Sequence, residues 1–228
     1  MKITVQRQFT TAVEPSQNVM KVAAMFGLGL DRRRSIQVIA PTTLELLSGQ
    51  IVFITGASGS GKSVLLDEIG RTLADKQAVN VLRFDGLPHL PDRPLVDCFA
   101  DMSLEEVTAI LSLAGLNDAF VMLRRPGELS DGQRYRLSMA QAMAVTEGPN
   151  RAQLNVVLAD EFAATLDRIT AAVMARNIRK WTRRTAAPVC FVAATTHDDL
   201  LEPLEPDVLI ENHPGERIEV VTRQSHDG

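Results

Sequence analysis

Only two cysteines, Cys98 and Cys190, occur among the 228 residues. That is too few for a disulfide scaffold or a cysteine zinc cluster, and it predicts two reduced, buried core residues. Basic residues are not in excess either: the formal net charge is −4, so the whole molecule is no polycation. Nucleic-acid binding would need a local basic patch. There is no uncharged apolar run of about 18 residues, and the N-terminal stretch Met1–Phe9 alternates like an edge strand without an apolar signal core. Internal repeats and low-complexity segments are lacking too. These absences predict a soluble, cytoplasmic protein with no membrane span of its own.

Hydrophobic residues make up 45% of the chain, enough for a substantial core. Strands are predicted at Lys2–Phe9, Asn18–Met25, Ser35–Ile39, Gln50–Thr55, Val79–Phe84, Leu154–Ala159, Val189–Ala194, Val208–Glu211 and Arg217–Val221. Lys62–Asp75 has helical spacing, with Val64, Leu65, Ile69 and Leu73 on one side. From Leu87 to Thr146 the pattern is helical; Leu104, Val107, Ile110, Leu111 and Ala114 form one stripe ended by Gly115, and a second helix begins near Ser130. Leu166–Arg183 is the last long helix. The alternation predicts an α/β fold with a mostly parallel sheet flanked by helices. An N-terminal antiparallel β-subdomain and a short inserted helical subdomain (about 87–148) complete one domain over residues 1–228.

Gly56-Ala-Ser-Gly-Ser-Gly-Lys62-Ser63 fits the phosphate-loop pattern G-x-x-x-x-G-K-[ST] in full, between a predicted strand and a predicted helix. Gly56, Gly59 and Gly61 let the backbone turn so that N–H groups around Ser58, Ser60 and Val64 face an anion at a helix N-terminus. Lys62 adds a point charge for the β- and γ-phosphates, and the Ser63 hydroxyl is a ligand for Mg²⁺. The pattern predicts a P-loop NTPase that binds ATP with Mg²⁺.

Four further motifs follow in order. Leu129-Ser-Asp-Gly-Gln133 resembles the LSGGQ motif of ABC-type ATPases (ATP-binding cassettes). Asn155-Val-Val-Leu-Ala-Asp160-Glu161 resembles their second nucleotide motif, Ala164-Thr-Leu-Asp167 the loop after it, and Thr195-Thr-His197-Asp198 the switch histidine. The resemblance runs from roughly Met20 to Val221 and implies hydrolysis of ATP in a head-to-tail homodimer. Through it, Ser130, Gly132 and Gln133 would face the γ-phosphate held by the other subunit. Asp160 would hold Mg²⁺, Glu161 would orient and deprotonate water, His197 would sense the γ-phosphate, and Asp167 would cross the interface. Phe26 would stack on adenine; a core role beside Gly27 is its alternative. Ser130–Gln133 also reads as a capping box, which is compatible with delivery of a helix end to a phosphate. Asp160 and Glu161, as neighbours on a strand, are expected to project to opposite sides.

Two features depart from the pattern. Asp131 stands where the family has glycine. And no glutamine occurs between Gln77 and Gln133, although transporter ATPases carry one there that contacts the metal and couples to the membrane subunit. Asp85 or His89 would have to substitute. The stretch from Lys62 to Ser130 is also short. The surrounding text looks closest to soluble ABC-type ATPases related to those fused to an acetyltransferase-like domain. The leading expectation is therefore a non-transporter ATPase acting on an unidentified protein partner; a transporter subunit and a nucleic-acid-linked ATPase are the alternatives. For the last, Arg176, Arg179, Lys180, Arg183 and Arg184 recur at helical spacing, as a solvated face or as a phosphate-binding ridge, joined by Arg32–Arg34 if those share the surface.

Overall fold

The computed structural model describes residues 1–11, 14–29, 34–148, 152–213 and 218–223. The elements run β1 (Lys2–Thr11), α1 (Gln17–Met25), β2 (Arg34–Glu45), β3 (Ile51–Thr55), α2 (Lys62–Ala74), β4 (Val79–Arg83), α3 (Leu104–Leu113), α4 (Ala119–Met122), α5 (Asp131–Glu147), β5 (Leu154–Ala159), α6 (Arg168–Arg184), β6 (Val189–Ala194), α7 (Leu201–Leu204), β7 (Val208–Glu211) and β8 (Glu219–Thr222). The main sheet has the order β4-β5-β6-β3-β7-β8, parallel except for β8, which returns antiparallel against β7. β1 and β2 form a separate antiparallel ribbon.

Side-chain alternation on the parallel strands divides the interior into two layers. Ile51 and Phe53 of β3, Val157 and Ala159 of β5 and Phe191 of β6 face α3, α5 and α6. Val52, Ile54, Val156, Leu158, Cys190 and Val192 face α2 and the β1–β2 ribbon. Because both faces are covered, these strands are apolar apart from Asn155 and Thr55, as buried parallel strands are. Leu65, Ile69 and Leu73 of α2 are fully buried, and Leu66 joins them. Met174, Ile178 and Trp181 are the buried side of α6. Both cysteines are free and buried, and burial pushes the Cys190 thiol up to about 12.

Four expectations change. Asn18–Met25 is helix, not strand: Ser16 caps it by accepting the Val19 N–H at 3.2 Å, and Met-Lys-Val-Ala-Ala-Met contains good helix formers. The β2 strand is longer than Ser35–Ile39, and the break in its register lies around Ala40–Pro41, where proline has no N–H to give. Leu104 leaves the α3 stripe and is 65% exposed, because Ser103 and Glu106 close a capping box there and put it on the first helical residue. The last strand starts at Glu219; Arg217 lies outside the described residues, as do Arg32 and Arg33.

Candidate active site

A cleft of about 540 Å³ opens beyond the carboxyl ends of β3, β5 and β6, where ligands enter parallel α/β sheets. Its wall includes Ser58, Gly59, Gly61, Lys62, Ser63 and Val64, together with Asp160, Glu161, Ala164, Thr195 and Thr196. The phosphate loop therefore meets the two carboxylates, as the motifs required.

The backbone of the loop depends on glycine. Gly59 and Gly61 have φ of 76° and 94°, in the left-handed region, and Gly61 is the residue from which α2 starts. Gly56 has φ 142° and lies so close to the Asn212 carbonyl that a Cβ would overlap it. Ser60 within the loop and Asn212 beside it are buried, and the Ser60 Oγ and Asn212 Nδ2 have no hydrogen-bond partner among the described residues. Lys62 Nζ donates to the Gly56 and Ala57 carbonyls, both at 2.8 Å. Desolvation lowers the Lys62 pKa, and the Asp160 and Asp198 carboxylates oppose that shift. The Asp198 carboxylate in turn accepts the Thr55 hydroxyl at the end of β3. A nest of backbone N–H groups at a helix start, with one cation and one small hydroxyl, fits a magnesium-bound triphosphate.

Asp160 and Glu161 do not alternate as strand neighbours. The β5 strand ends at Ala159, and Glu161 has φ 46° and Ala163 φ 58° in the turn beyond it. This turn brings both carboxylates to the same cleft. Left-handed non-glycine residues cost on the order of 1–3 kcal/mol each and persist where surroundings impose them. Here the Asp160 Oδ1 accepts the Glu161 N–H at 2.9 Å, the Ala194 carbonyl accepts Phe162 N–H at 2.8 Å, and the Tyr135 hydroxyl accepts Ala163 N–H at 2.9 Å.

Ser130 caps α5 in a full capping box: its hydroxyl accepts Gln133 N–H at 3.3 Å, while Gln133 Oε1 accepts Ser130 N–H at 3.0 Å. Gly132 packs against Leu166 and the Thr165 carbonyl, so this helix start is seated on the loop after Glu161. The Asp131 carboxylate is paired with Arg134, which also donates to the Leu129 carbonyl. Asp167 caps α6 through Thr170 N–H at 2.9 Å, and the Thr170 side chain first, then this N–H, holds its carboxyl below the usual range.

Other candidates fall outside the cleft wall. His197 follows Thr195 and Thr196 immediately past the wall, its N–H on the Thr195 hydroxyl at 3.3 Å. Phe26 ends α1 with 72% exposure, so the core alternative for it is excluded. Asp85 and His89 do not line the cleft either. Arg83 holds Asp85 at 3.0 and 3.3 Å and keeps its carboxyl low. On α6, Arg179 pairs with Glu205, and Arg183 reaches Asp207 at 3.5 Å. Two cations of the five-residue ridge are thus met by acids of its own chain. Thr55, Tyr135, Asp198 and Asn212 carry the second layer of contacts. Two of them had an advance signal: Asp198, at the end of the Thr195–Asp198 motif, and Tyr135, the single tyrosine of the chain, two residues past Gln133.

No family model matches the chain. It is similar to curated proteins, however. A lipoprotein-releasing system ATP-binding protein, LolD, of Acinetobacter baylyi is 30% identical over 190 residues, covering 68% of this chain and 79% of that protein. The chain belongs to the ABC ATPases. LolD of Novosphingobium aromaticivorans is 30% identical over 212 residues, 79% of this chain and 90% of its own length. The sulfate/thiosulfate import ATP-binding protein CysA of Synechococcus elongatus is 27% identical over 227 residues, 86% of this chain and 59% of its own. In fold, the chain is similar to an ATP-binding cassette solved as a dimer in a post-hydrolysis state with ADP and Pi. The TM-score is 0.61 at 17% identity, over 98% of this chain and all of that one. This ABC ATPase binds ATP with Mg²⁺ and hydrolyses it. Among the described residues no helix is long and apolar enough to cross a membrane.

Proposed function

We propose that this ABC ATPase is the ATP-hydrolysing subunit of a membrane-associated transport or release system, working as a head-to-tail homodimer. The observation that carries this reading is its similarity to LolD and CysA, ATP-binding proteins of a lipoprotein-releasing system and of sulfate/thiosulfate import. Residues 1–228 form one ATPase domain, with the helices of about 87–148 as its helical subdomain.

The chain's own residues divide the work. The phosphate loop from Gly56 to Val64, with Ser58, Gly59, Ser60 and Gly61, wraps the phosphates by backbone N–H groups, and Lys62 neutralises them. Phe26, exposed on α1, stacks on adenine. Ser63 and Asp160 would hold Mg²⁺, which would supply positive charge against the phosphates. Glu161 orients water for in-line attack and takes its proton, and His197 at the rim senses the γ-phosphate. Ser130, Gly132 and Gln133 of the second copy close the pocket with the positive end of α5. Asp167 of the second copy reaches across the interface. Catalysis is then positioning and charge stabilisation in a pocket that two copies complete.

A second reading, a non-transporter ATPase like the soluble relatives of the acetyltransferase-fused proteins, is favoured by the missing glutamine between Gln77 and Gln133. One experiment separates the two. The chain, tagged at its native locus and extracted in mild detergent, should co-purify with an integral membrane protein in a complex that hydrolyses ATP. Recovery of all the chain from the soluble fraction, with no membrane protein retained, would overturn the transport reading.

A further inference from the structure

Tyr135 joins three segments that sequence separates. It stands in the first turns of α5, past the Ser130 cap. Its hydroxyl accepts the Ala163 N–H at 2.9 Å, within the left-handed turn that carries Glu161. Its ring packs edge-on against Phe84, directly after β4, with centroids 5.6 Å apart at 61°. Burial, with the Asp160 charge adding to it, raises the phenol's pKa, so the hydroxyl keeps its own proton.

We propose that Tyr135 is a positioning residue for ATP hydrolysis, its hydroxyl holding the Glu161–Ala163 turn and tying Glu161 to the helix that carries Ser130. The turn contains two left-handed non-glycine residues, a conformation that relaxes unless its N–H groups are held. The Phe162 N–H is held by the main sheet through Ala194. The Ala163 N–H is held by Tyr135 alone among the described residues. A tilt of α5 when Ser130 meets a nucleotide on the second copy is therefore passed through this bond to Ala163, two residues from Glu161. The two faces of one subunit, the carboxylate for its own ATP and the helix end for the other, share this one bond.

The proposal rests on the reading of Glu161 as the water-orienting carboxylate, and the test keeps the two apart. Tyr135→Phe retains the ring and its contact with Phe84 while removing the hydroxyl. Its kcat should fall roughly tenfold, with KM for ATP within about twofold, since the loss is confined to geometry at the reacting water. Phe84→Leu, which removes the ring contact and leaves the hydroxyl, should lower the melting temperature and leave kcat within about twofold. In a Glu161→Gln background, adding Tyr135→Phe should not lower the residual rate further, because the hydroxyl acts through Glu161. A Tyr135→Phe enzyme with unchanged kcat beside an inactive Glu161→Gln overturns the proposal and spares the reading of Glu161. So does a loss that appears in KM, or one that adds to that of Glu161→Gln. Full activity in Glu161→Gln overturns both.

Discussion

The backbone carbonyl of Asn212 lies against Gly56, at the position a Cβ would occupy. The last parallel strand thus supports the phosphate loop from below, with Asn212 Nδ2 and Ser60 Oγ, both without a partner among the described residues, buried there. Gly56→Ala must either move Asn212 or distort a residue at φ 142°. At a strain cost of about 1–3 kcal/mol, ATP affinity should fall on the order of ten- to a hundredfold. Titration with a fluorescent ATP analogue measures this, and the far-ultraviolet circular dichroism should stay unchanged.

Glu161→Gln keeps the size and hydrogen-bonding reach of the side chain but removes the base. Hydrolysis should fall by roughly 10²–10⁴-fold, read by phosphate release. ATP binding should persist, because the phosphates are held by the N–H groups of the loop and by Lys62 rather than by Glu161. With ATP and Mg²⁺ the variant should run at twice its apparent mass on a sizing column. A Ser130→Arg change in the same chain should return it to the monomer.

Asp131 brings a carboxylate to a helix end that has to approach a triphosphate, and Arg134 compensates it one turn later. Arg134→Ala should therefore weaken ATP-driven dimerisation of the Glu161→Gln chain. For an exposed pair the change is small, roughly three- to fivefold in the dimer dissociation constant at low salt, and smaller at high salt. Adding Asp131→Gly should recover the lost affinity. Analytical ultracentrifugation reads both.

The Asp167 carboxyl is held below the usual range by Thr170, through its side chain first and its N–H second. A depressed carboxylate contributes stability that is complete above its ordinary pKa and disappears as pH falls through the depressed value. Asp167→Asn keeps an acceptor for the cap but carries no charge to titrate. Its melting temperature should change less between pH 7 and pH 3 than that of the parent, while Asp167→Ala should melt lower at pH 7. Differential scanning calorimetry distinguishes the two.

Local chemistry explains why so much of this site was legible in advance. The phosphate loop, the Ser130–Gln133 box and the Asp167 cap each close within a few residues, so their spacing states their geometry. The parallel strands read clearly because burial on both faces leaves uninterrupted apolar runs. The α1 segment is ambiguous in sequence, since its Val19, Met20 and Val22 fit an exposed strand as well as a helix and only Ala23 is buried. For Asp160 and Glu161 the sequence indicates the site but not the geometry, because nothing in Leu-Ala-Asp-Glu marks where the strand stops.

The order of motifs from Gly56 to His197 determined, unaided, that this chain takes ATP with Mg²⁺ as an ABC ATPase. Tertiary structure decided how the carboxylates are held: a left-handed turn at Glu161 and Ala163, tied to Tyr135 on one side and Ala194 on the other. It also decided that Asn212 supports Gly56 and that Arg134 neutralises Asp131. The turn and the Asn212 support are made by residues distant in the chain, through packing that carries no period. Arg134 is close enough to pair, but long side chains have many rotamers, and spacing alone does not select the one that does.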